Sequence, residues 1–142
     1  MEKILIEFID TLDSSFKTKL AEIGNVAGMS QLTISQIQYI DAIHRLQQPT
    51  ITEIANKLGL AKASVSTGIN RLIEKGYVTK TQSDRDRRVF HLDLTALGKQ
   101  SIDAKDLAVR EYSNFIASVL TNEEAQQLEI ILTKLVGLFG QK

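Results

Sequence analysis

Two short amphipathic segments, separated by only a few residues, constrain the fold of this chain more than any other feature. The first, "ITEIANKLG", begins at Thr50, which has capping-box spacing to Glu53, and stops at Gly59. After the turn "GLA", the second segment, "KASVSTGINRLIEKG", keeps helical periodicity and stops at Gly76. Two short helices joined by such a tight turn predict a helix-turn-helix.

The two faces of the second helix differ in chemistry. One stripe is apolar and contains Val65, Ile69, Leu72 and Ile73, whereas the opposite face carries Ala63, Ser66, Thr67 and Asn70. A second helix whose outer face lacks bulky apolar groups can enter the major groove of DNA. We therefore interpret it as a DNA-recognition helix.

The hydrophobic period changes from 3.6 to 2 directly after Gly76. Residues 77–82 are predicted to form one strand, and "VFHLDL" forms a second with Phe90, Leu92 and Leu94 pointing to the same side. The stretch between them, "SDRDRR", is thus placed at the tip of a β-hairpin.

The hairpin tip concentrates charge. Arg85, Arg87 and Arg88 lie within six residues of a chain that has no net charge. Arginine is favoured in a narrow minor groove, where negative potential is concentrated. Asp86 is expected to accept from a nearby guanidinium in bidentate fashion and to keep the tip rigid. The alternative is a solvated loop whose charges only keep an edge strand soluble.

Charge is segregated along the chain. Residues 57–88 contain eight lysines and arginines against three acids, so this stretch carries +5 and the remainder carries −5. Charge runs are often plain solvated faces. Here the basic stretch coincides with the predicted helix-turn-helix and hairpin, which favours a nucleic-acid partner.

The segments before the helix-turn-helix are also helical. Residues 4–23 repeat apolar side chains every three or four positions and predict one long amphipathic helix, ended by "GNVAGMSQ". The next segment, "LTISQIQYIDAIHRL", begins with Thr33 and Gln36 at capping-box spacing and is expected to run to about Leu46.

Helical periodicity returns after the hairpin. Thr95 is the predicted N-cap of one helix, and Thr121 with Glu124 forms a capping-box pattern ahead of the last. The predicted fold class is mainly α with a minor α+β part: a winged helix-turn-helix with long terminal helices and one β-hairpin wing. We expect a single domain over residues 1–142, in which 33–95 form the DNA-binding region and 1–32 and 96–142 form dimerisation helices.

Composition excludes several functions. The chain has no cysteine, so disulfides and thiolate catalysis are impossible. His44 and His91 lie on different predicted elements, and no catalytic motif is present, so we expect no metal site, no cofactor and no enzymatic activity. No apolar run approaches the ~20 residues of a membrane span, and the start is unlike a signal peptide. We expect a cytoplasmic protein with no membrane partner.

Residues 50–98 resemble the central segment of the MarR family of winged-helix transcriptional regulators. The most specific pieces are "EKGYV" at the end of the second helix, "DRR" at the wing tip and "LTALG" leading into the next helix. The flanking helices resemble the family's dimerisation layer, so the resemblance covers essentially the whole chain. It implies a homodimer that binds a pseudo-palindrome in double-stranded DNA, usually as a repressor.

The chain departs from the family pattern in its recognition helix. Such proteins often carry serine and a basic residue where this chain has Ala61 and Thr67, and Gly68 within the helix costs about 1 kcal/mol relative to alanine. Base contacts are expected mainly from the polar side chains of this helix, with Arg71 on phosphate or an internal acid. The full candidate DNA-binding set is Thr50, Lys62, Ala63, Ser64, Ser66, Thr67, Asn70, Arg71, Arg85, Asp86, Arg87 and Arg88.

Two further sites are predicted. Apolar stripes near both chain ends are expected to form the homodimer through Phe8, Ile9, Leu12, Leu128, Ile131, Leu135 and Phe139; the alternative is an intramolecular helix pair. The resemblance also implies a cleft for a small amphipathic or aromatic effector. Its candidate lining is Phe16, Leu20, Tyr39, Ile43, His44 and Tyr112, with Tyr39, His44 or Arg45 orienting the polar end; the alternative is plain core.

Three functional hypotheses remain open. The favoured one is an effector-responsive DNA-binding regulator, the second is a winged-helix module that binds proteins and not DNA, and the third is a small helical enzyme. A protein-binding winged helix has no need of a basic wing, so the +5 segment favours the first hypothesis.

Overall fold

The computed structural model describes residues 1–23 and 31–140. Their elements follow the order α1 (Glu2–Ile23), α2 (Ile34–Leu46), α3 (Ile51–Leu58), α4 (Lys62–Glu74), β1 (Val78–Gln82), β2 (Phe90–Leu94), α5 (Ala96–Val119) and α6 (Asn122–Phe139). The predicted mainly α fold, a winged helix-turn-helix with one hairpin, is confirmed. The predicted end of the first helix in "GNVAGMSQ" lies, apart from Gln31, outside the described residues.

Local sequence sets the starts of the helices. All three predicted capping boxes are present, formed by Thr33 with Gln36, Thr50 with Glu53, and Thr121 with Glu124. In each box the threonine hydroxyl and the partner side chain accept from backbone N–H groups that the helix leaves open. Thr95 caps α5 as predicted, because its Oγ1 accepts from the Gly98 N–H at 3.1 Å.

Glycines end α3 and α4. Gly59 and Gly76 adopt left-handed backbone conformations, with φ of 65° and 84°. The N–H of Tyr77 then donates to the Leu72 carbonyl at 2.9 Å, which completes the terminus of α4. Tyr77 therefore belongs to the turn that follows α4, and the prediction that the first strand begins there is wrong by one residue: β1 begins at Val78.

The helices α2, α3 and α4 and the hairpin surround one apolar core. Its most buried members are Ile40, Ile43, Ile54, Val65, Ile69, Leu72 and Leu92. The hairpin, which we call the wing (residues 78–94), is antiparallel, with Val78 opposite Leu94 and Gln82 opposite Phe90. Because one stripe of α4 is fixed in this core, the opposite stripe faces outward.

The chain divides into two compact units, residues 1–106 and 107–142. The first unit contains α1 to α4, the wing and the beginning of α5. The second, described as far as residue 140, contains the rest of α5 and all of α6, in which no residue is buried. Within the described ranges, no helix is both long enough and apolar enough to cross a membrane.

Candidate nucleic-acid interface

Between Lys62 and Arg71, the outer face of α4 carries short side chains, most of them polar. Lys62, Ala63, Ser64, Thr67, Asn70 and Arg71 are exposed, and Ser66 is half-buried beside them. Recognition helices contact base edges mainly through their N-terminal residues. In α4 the residues that follow Lys62, namely Ala63 and Ser64, are small, so the helix backbone can come close to a partner surface there.

Two threonine hydroxyl groups near this face form hydrogen bonds with the protein's own backbone. The Thr67 Oγ1 donates to the Ala63 carbonyl at 3.1 Å. The Thr50 Oγ1 accepts from the Glu53 N–H at 3.2 Å, so this predicted DNA-binding residue acts as the N-cap of α3. Ala61, in contrast, provides no side-chain cap for α4.

Gly68 lies directly against the ring of Tyr39 in α2. A Cβ atom at position 68 would overlap Cε2 of that ring and would lie 2.9 Å from Cδ2. Tyr39 is buried in the core, so the ring has no open space to move into. Gly68 is unfavourable for helix propensity, but its lack of a side chain allows α4 to pack closely on α2.

Lys75 attaches the end of α4 to the start of α2. Its Nζ donates to the Gln31 carbonyl at 3.1 Å and to Oε1 of Gln36 at 3.3 Å. Gln36 is buried and also belongs to the capping box of α2. The contact with Tyr39 thus positions the middle of α4, and the bond to Gln36 positions its end. The Lys75 ammonium group is used in these structural hydrogen bonds.

Short hydrogen bonds shape the tip of the wing. The Ser83 N–H donates to the Val89 carbonyl at 2.8 Å, and the Val89 N–H donates to the Asp86 carbonyl at 2.9 Å. Oγ of Ser83 accepts from the N–H groups of Arg85 and Asp86 at 3.3 and 3.5 Å. The tip is therefore an ordered turn.

Asp86 forms the predicted bidentate pair, and its partner is Arg88. Nε and Nη2 of Arg88 donate to Oδ1 and Oδ2 of Asp86, each at 3.1 Å, and the Arg88 backbone N–H donates to Oδ1 at 3.0 Å. These side-chain and backbone bonds from Arg88 lower the pKa of Asp86. The Arg88 side chain remains 90% exposed, so the pair orients the guanidinium without covering it.

The other two arginines of the tip are available for contact. Arg85 and Arg87 are exposed, and within residues 1–23 and 31–140 neither guanidinium has a hydrogen-bond or ion-pair partner. The tip therefore presents two unpaired cations and one oriented cation, an arrangement suited to phosphate or to a narrow minor groove.

The root of the wing is fixed to the helix-turn-helix. Oγ1 of Thr95 donates to the Gly76 carbonyl at 2.6 Å, and the Thr95 N–H donates to the Tyr77 carbonyl at 3.1 Å. Nδ1 of His91 hydrogen-bonds the Gln48 carbonyl at 3.0 Å. These bonds hold the wing both to the end of α4 and to the loop before α3.

The predicted effector residues of the first unit do not all line one cavity. Phe16 and Leu20 line a cavity of about 830 Å³ in the first unit. Tyr39 and Ile43 are core residues, because Tyr39 packs against Gly68 and Ile43 is 1% exposed. Besides Phe16 and Leu20, the cavity wall includes the apolar residues Leu32, Ile34 and Ile37.

The two remaining candidates of that set are His44 and Tyr112. His44 lines a separate cavity of about 420 Å³ that also includes Ile43 and Lys99. Tyr112 belongs to the second unit, where it is half-buried.

Charged residues of the larger cavity were missed by the sequence analysis. Nζ of Lys105 lies 2.9 Å from Oδ1 of Asp41, and Nε of Arg45 lies 2.8 Å from Oδ2 of the same carboxylate. Arg45, expected to orient an effector, is thus paired with Asp41. Lys57 and Lys17 also line the cavity and are exposed. Asp41 and Lys105 are 64 positions apart, so no local pattern could indicate their pairing.

The predicted dimerisation residues are largely exposed in the single chain. Phe8 of α1 is 57% exposed and Phe139 of α6 is 66% exposed. Ile9, Leu12, Ile131 and Leu135 are also exposed, whereas Leu128 is half-buried. Each unit therefore carries an uncovered apolar helix face, of a kind that marks interaction sites in proteins.

Known proteins share the central part of this sequence. Residues 30–89 match the model of the MarR family. The transcriptional regulator PapX of Escherichia coli is 32% identical over 89 residues, which cover 63% of this chain and 54% of PapX. The transcriptional repressor MprA of E. coli is 28% identical over 90 residues, covering 63% of this chain and 51% of MprA. The chain thus spans about half the length of these relatives.

The fold is also found in solved structures. FabT of Streptococcus pneumoniae, crystallised in complex with DNA, aligns with a TM-score of 0.77 and 23% identity over 98% of this chain and 97% of the FabT chain. The family match covers the helix-turn-helix and the wing as far as residue 89. The chain is therefore similar to MarR-family transcriptional regulators over residues 30–89, and it shares its fold with FabT over almost its whole length.

Proposed function

We propose that this protein binds double-stranded DNA sequence-specifically, with α4 in the major groove and the wing tip at the adjacent minor groove. One observation carries the proposal: a single core holds both the short polar face of α4 and a wing tip with Arg85 and Arg87 unpaired and Arg88 oriented by Asp86. The charge of +5 over residues 57–88 supports it. The DNA complex of the similarly folded FabT is consistent with it.

The proposed active form is a homodimer that acts as a repressor on a pseudo-palindrome. The uncovered apolar faces of α1 and α6, with Phe8 and Phe139 more than half exposed, support association with a second copy. Two-fold symmetry places two recognition helices about 34–36 Å apart, so half-sites should have centres ~10 base pairs apart. The name of the relative MprA supports repression.

Selection from a random pool of DNA duplexes tests the proposal. We expect recovery of a two-fold symmetric site, and binding that falls by roughly 10³–10⁵ between 50 and 200 mM salt if six to ten phosphates are neutralised. Light scattering should give twice the chain mass of 15.8 kDa. A protein that retains no duplex at any salt concentration would instead support the protein-binding hypothesis.

We further propose that a small amphipathic acid releases the protein from DNA by binding in the 830 Å³ cavity. Phe16 and Leu20 supply apolar wall, and Lys57 at the rim supplies a cation for a carboxylate. Such a ligand acts only through its differential affinity for the DNA-binding and non-binding states. A ligand that binds only the state unable to bind DNA stabilises that state by about 2.7 kcal/mol when its concentration is 100 times its dissociation constant.

Thermal shift with aromatic and fatty acids, followed by DNA release, tests the effector site. An acid that stabilises the protein should have a weaker effect in Leu20→Trp, which takes up part of the apolar end of the cavity, and also in Lys57→Gln. Lys134→Gln, a change far along the chain in α6, serves as the matched charge control. Equal release in the wild type and in Leu20→Trp would place the ligand elsewhere.

A further inference from the structure

The outward face of α4 presents methyl groups in its first two turns. Ala63 and Thr67 are one helical turn apart and both are exposed. The hydroxyl of Thr67 donates its only proton to the Ala63 carbonyl at 3.1 Å. This bond turns Oγ1 toward the helix backbone, so Thr67 has no donor for a base edge and its Cγ2 methyl is the outward group.

A free carboxamide follows on the same face. Asn70 is three residues beyond Thr67 and exposed, and in the described part of the chain its side chain has no hydrogen-bond partner. A carboxamide can donate to N7 and accept from N6 of adenine at the same time. The long cationic side chains stand at the ends of the helix: Lys62 is its first residue and Arg71 lies in its last turn. The middle of the face therefore lacks the arginine or lysine that reads guanine.

We propose that α4 reads A·T base pairs, with the methyl groups of Ala63 and Thr67 against the C5-methyl of thymine and Asn70 bidentate on adenine. Thymine is the natural base that offers a methyl group in the major groove. Thr67 thus determines specificity by apolar contact, although its residue type suggests a hydrogen bond. The inference rests on the proposed DNA-binding function and specifies its base preference.

Base analogues test the thymine contact atom by atom. In the selected duplex, each half-site thymine is replaced in turn by uracil, which lacks only the C5-methyl. At one position we expect a loss in affinity of about fourfold, the value of one buried methyl or methylene group. Thr67→Ser should show the same loss on the thymine duplex and no further loss on the uracil duplex. Thr67→Val, which keeps an outward methyl and removes the hydroxyl, should behave as the wild type does.

The adenine contact has its own analogue. Replacing one adenine with 7-deazaadenine removes the N7 acceptor, and we expect at least about a fivefold loss for the wild type and none for Asn70→Ala. The base assignment is wrong if neither uracil nor 7-deazaadenine changes the affinity. It is also wrong if the positions whose base preference changes in Thr67→Ser are occupied by G·C pairs. Neither result would contradict the proposal that the protein binds DNA. A protein that selects no duplex overturns both proposals together.

Discussion

The ring of Tyr39 occupies the space in which a side chain at position 68 would lie, so this ring of α2 packs directly against the backbone of α4. An exposed helix position would favour alanine over glycine by about 1 kcal/mol. At Gly68 this preference is reversed, because a Cβ would overlap the buried ring.

Gly68→Ala should therefore destabilise the protein by about 1–3 kcal/mol, the usual penalty for overpacking a core, measured by chemical denaturation. The matched background is Tyr39→Leu, in which the clashing ring carbons are absent. In the Tyr39→Leu background, Gly68→Ala should destabilise the protein less than it does in the wild type, or should stabilise it. The difference between the two effects is the coupling energy of the double-mutant cycle. A stabilising effect of Gly68→Ala in the wild type would contradict the close packing.

Features that depend on neighbours in sequence were predictable. The capping boxes of Thr33, Thr50 and Thr121 join residues three apart, and the Asp86–Arg88 pair joins residues two apart, so their spacing is visible in the sequence. The wing follows from the change of hydrophobic period after Gly76.

Contacts between distant segments were not predictable. Helical periodicity places Tyr39 on an apolar face of α2, but it does not reveal whether that face meets a ligand or Gly68. The ion pair between Asp41 and Lys105 also depends on how α2 and α5 pack, which no local pattern encodes. For the same reason, the cavity lining was anticipated only at Phe16 and Leu20.

Asp86→Asn should weaken DNA binding, although it removes a negative charge from the wing tip. Simple electrostatics predicts tighter binding from this change, whereas loss of the bidentate bond leaves the Arg88 guanidinium without a fixed orientation. Titration of a labelled operator would measure the affinity. Asp84→Asn, which removes the same charge two residues away, is the matched control and should bind at least as tightly as the wild type.

Protonation of Asp86 should release Arg88 only at unusually low pH. The bonds from Arg88 lower the pKa of this carboxyl in the folded protein. The stabilisation that the Asp86–Arg88 pair gives to the folded state is therefore complete above the unfolded-state pKa of about 3.9, and it is lost as the pH falls through the lower, folded-state pKa. The Nε–H resonance of Arg88 reports the pair directly by NMR. Its pH-dependent shift should have a midpoint below the ordinary aspartate value and should vanish in Asp86→Asn.

Replacing Arg87 and Arg88 together with alanine should weaken specific and non-specific DNA binding alike and reduce the slope of affinity against salt. Both side chains are exposed at the wing tip, where contacts to phosphate or to the minor groove carry little base information. Arg110→Ala, at an exposed position in α5, controls for the loss of positive charge in general. Unchanged affinity of the double variant would show that the wing does not contact DNA.

Phe8→Asp and Phe139→Asp should each convert the proposed dimer into a chain of 15.8 kDa, as measured by light scattering. Both side chains are more than half exposed in the single chain, so the substitutions leave its own core intact, and a charge in a buried interface is strongly unfavourable. Asn122→Asp, at the start of α6, should leave the mass unchanged. If both phenylalanine variants keep the mass of the wild type, the dimer uses other surfaces.

The bonds from Thr95 to Gly76 and Tyr77 make the chain enter and leave the wing at nearly the same point. A loop whose two ends are already joined can gain or lose residues at its far end with little change in closure entropy. Insertions or replacements within residues 83–88 should therefore leave the core and α4 undisturbed. The wing tip is thus a part of the molecule that evolution or design can lengthen, shorten or recharge independently of the recognition helix.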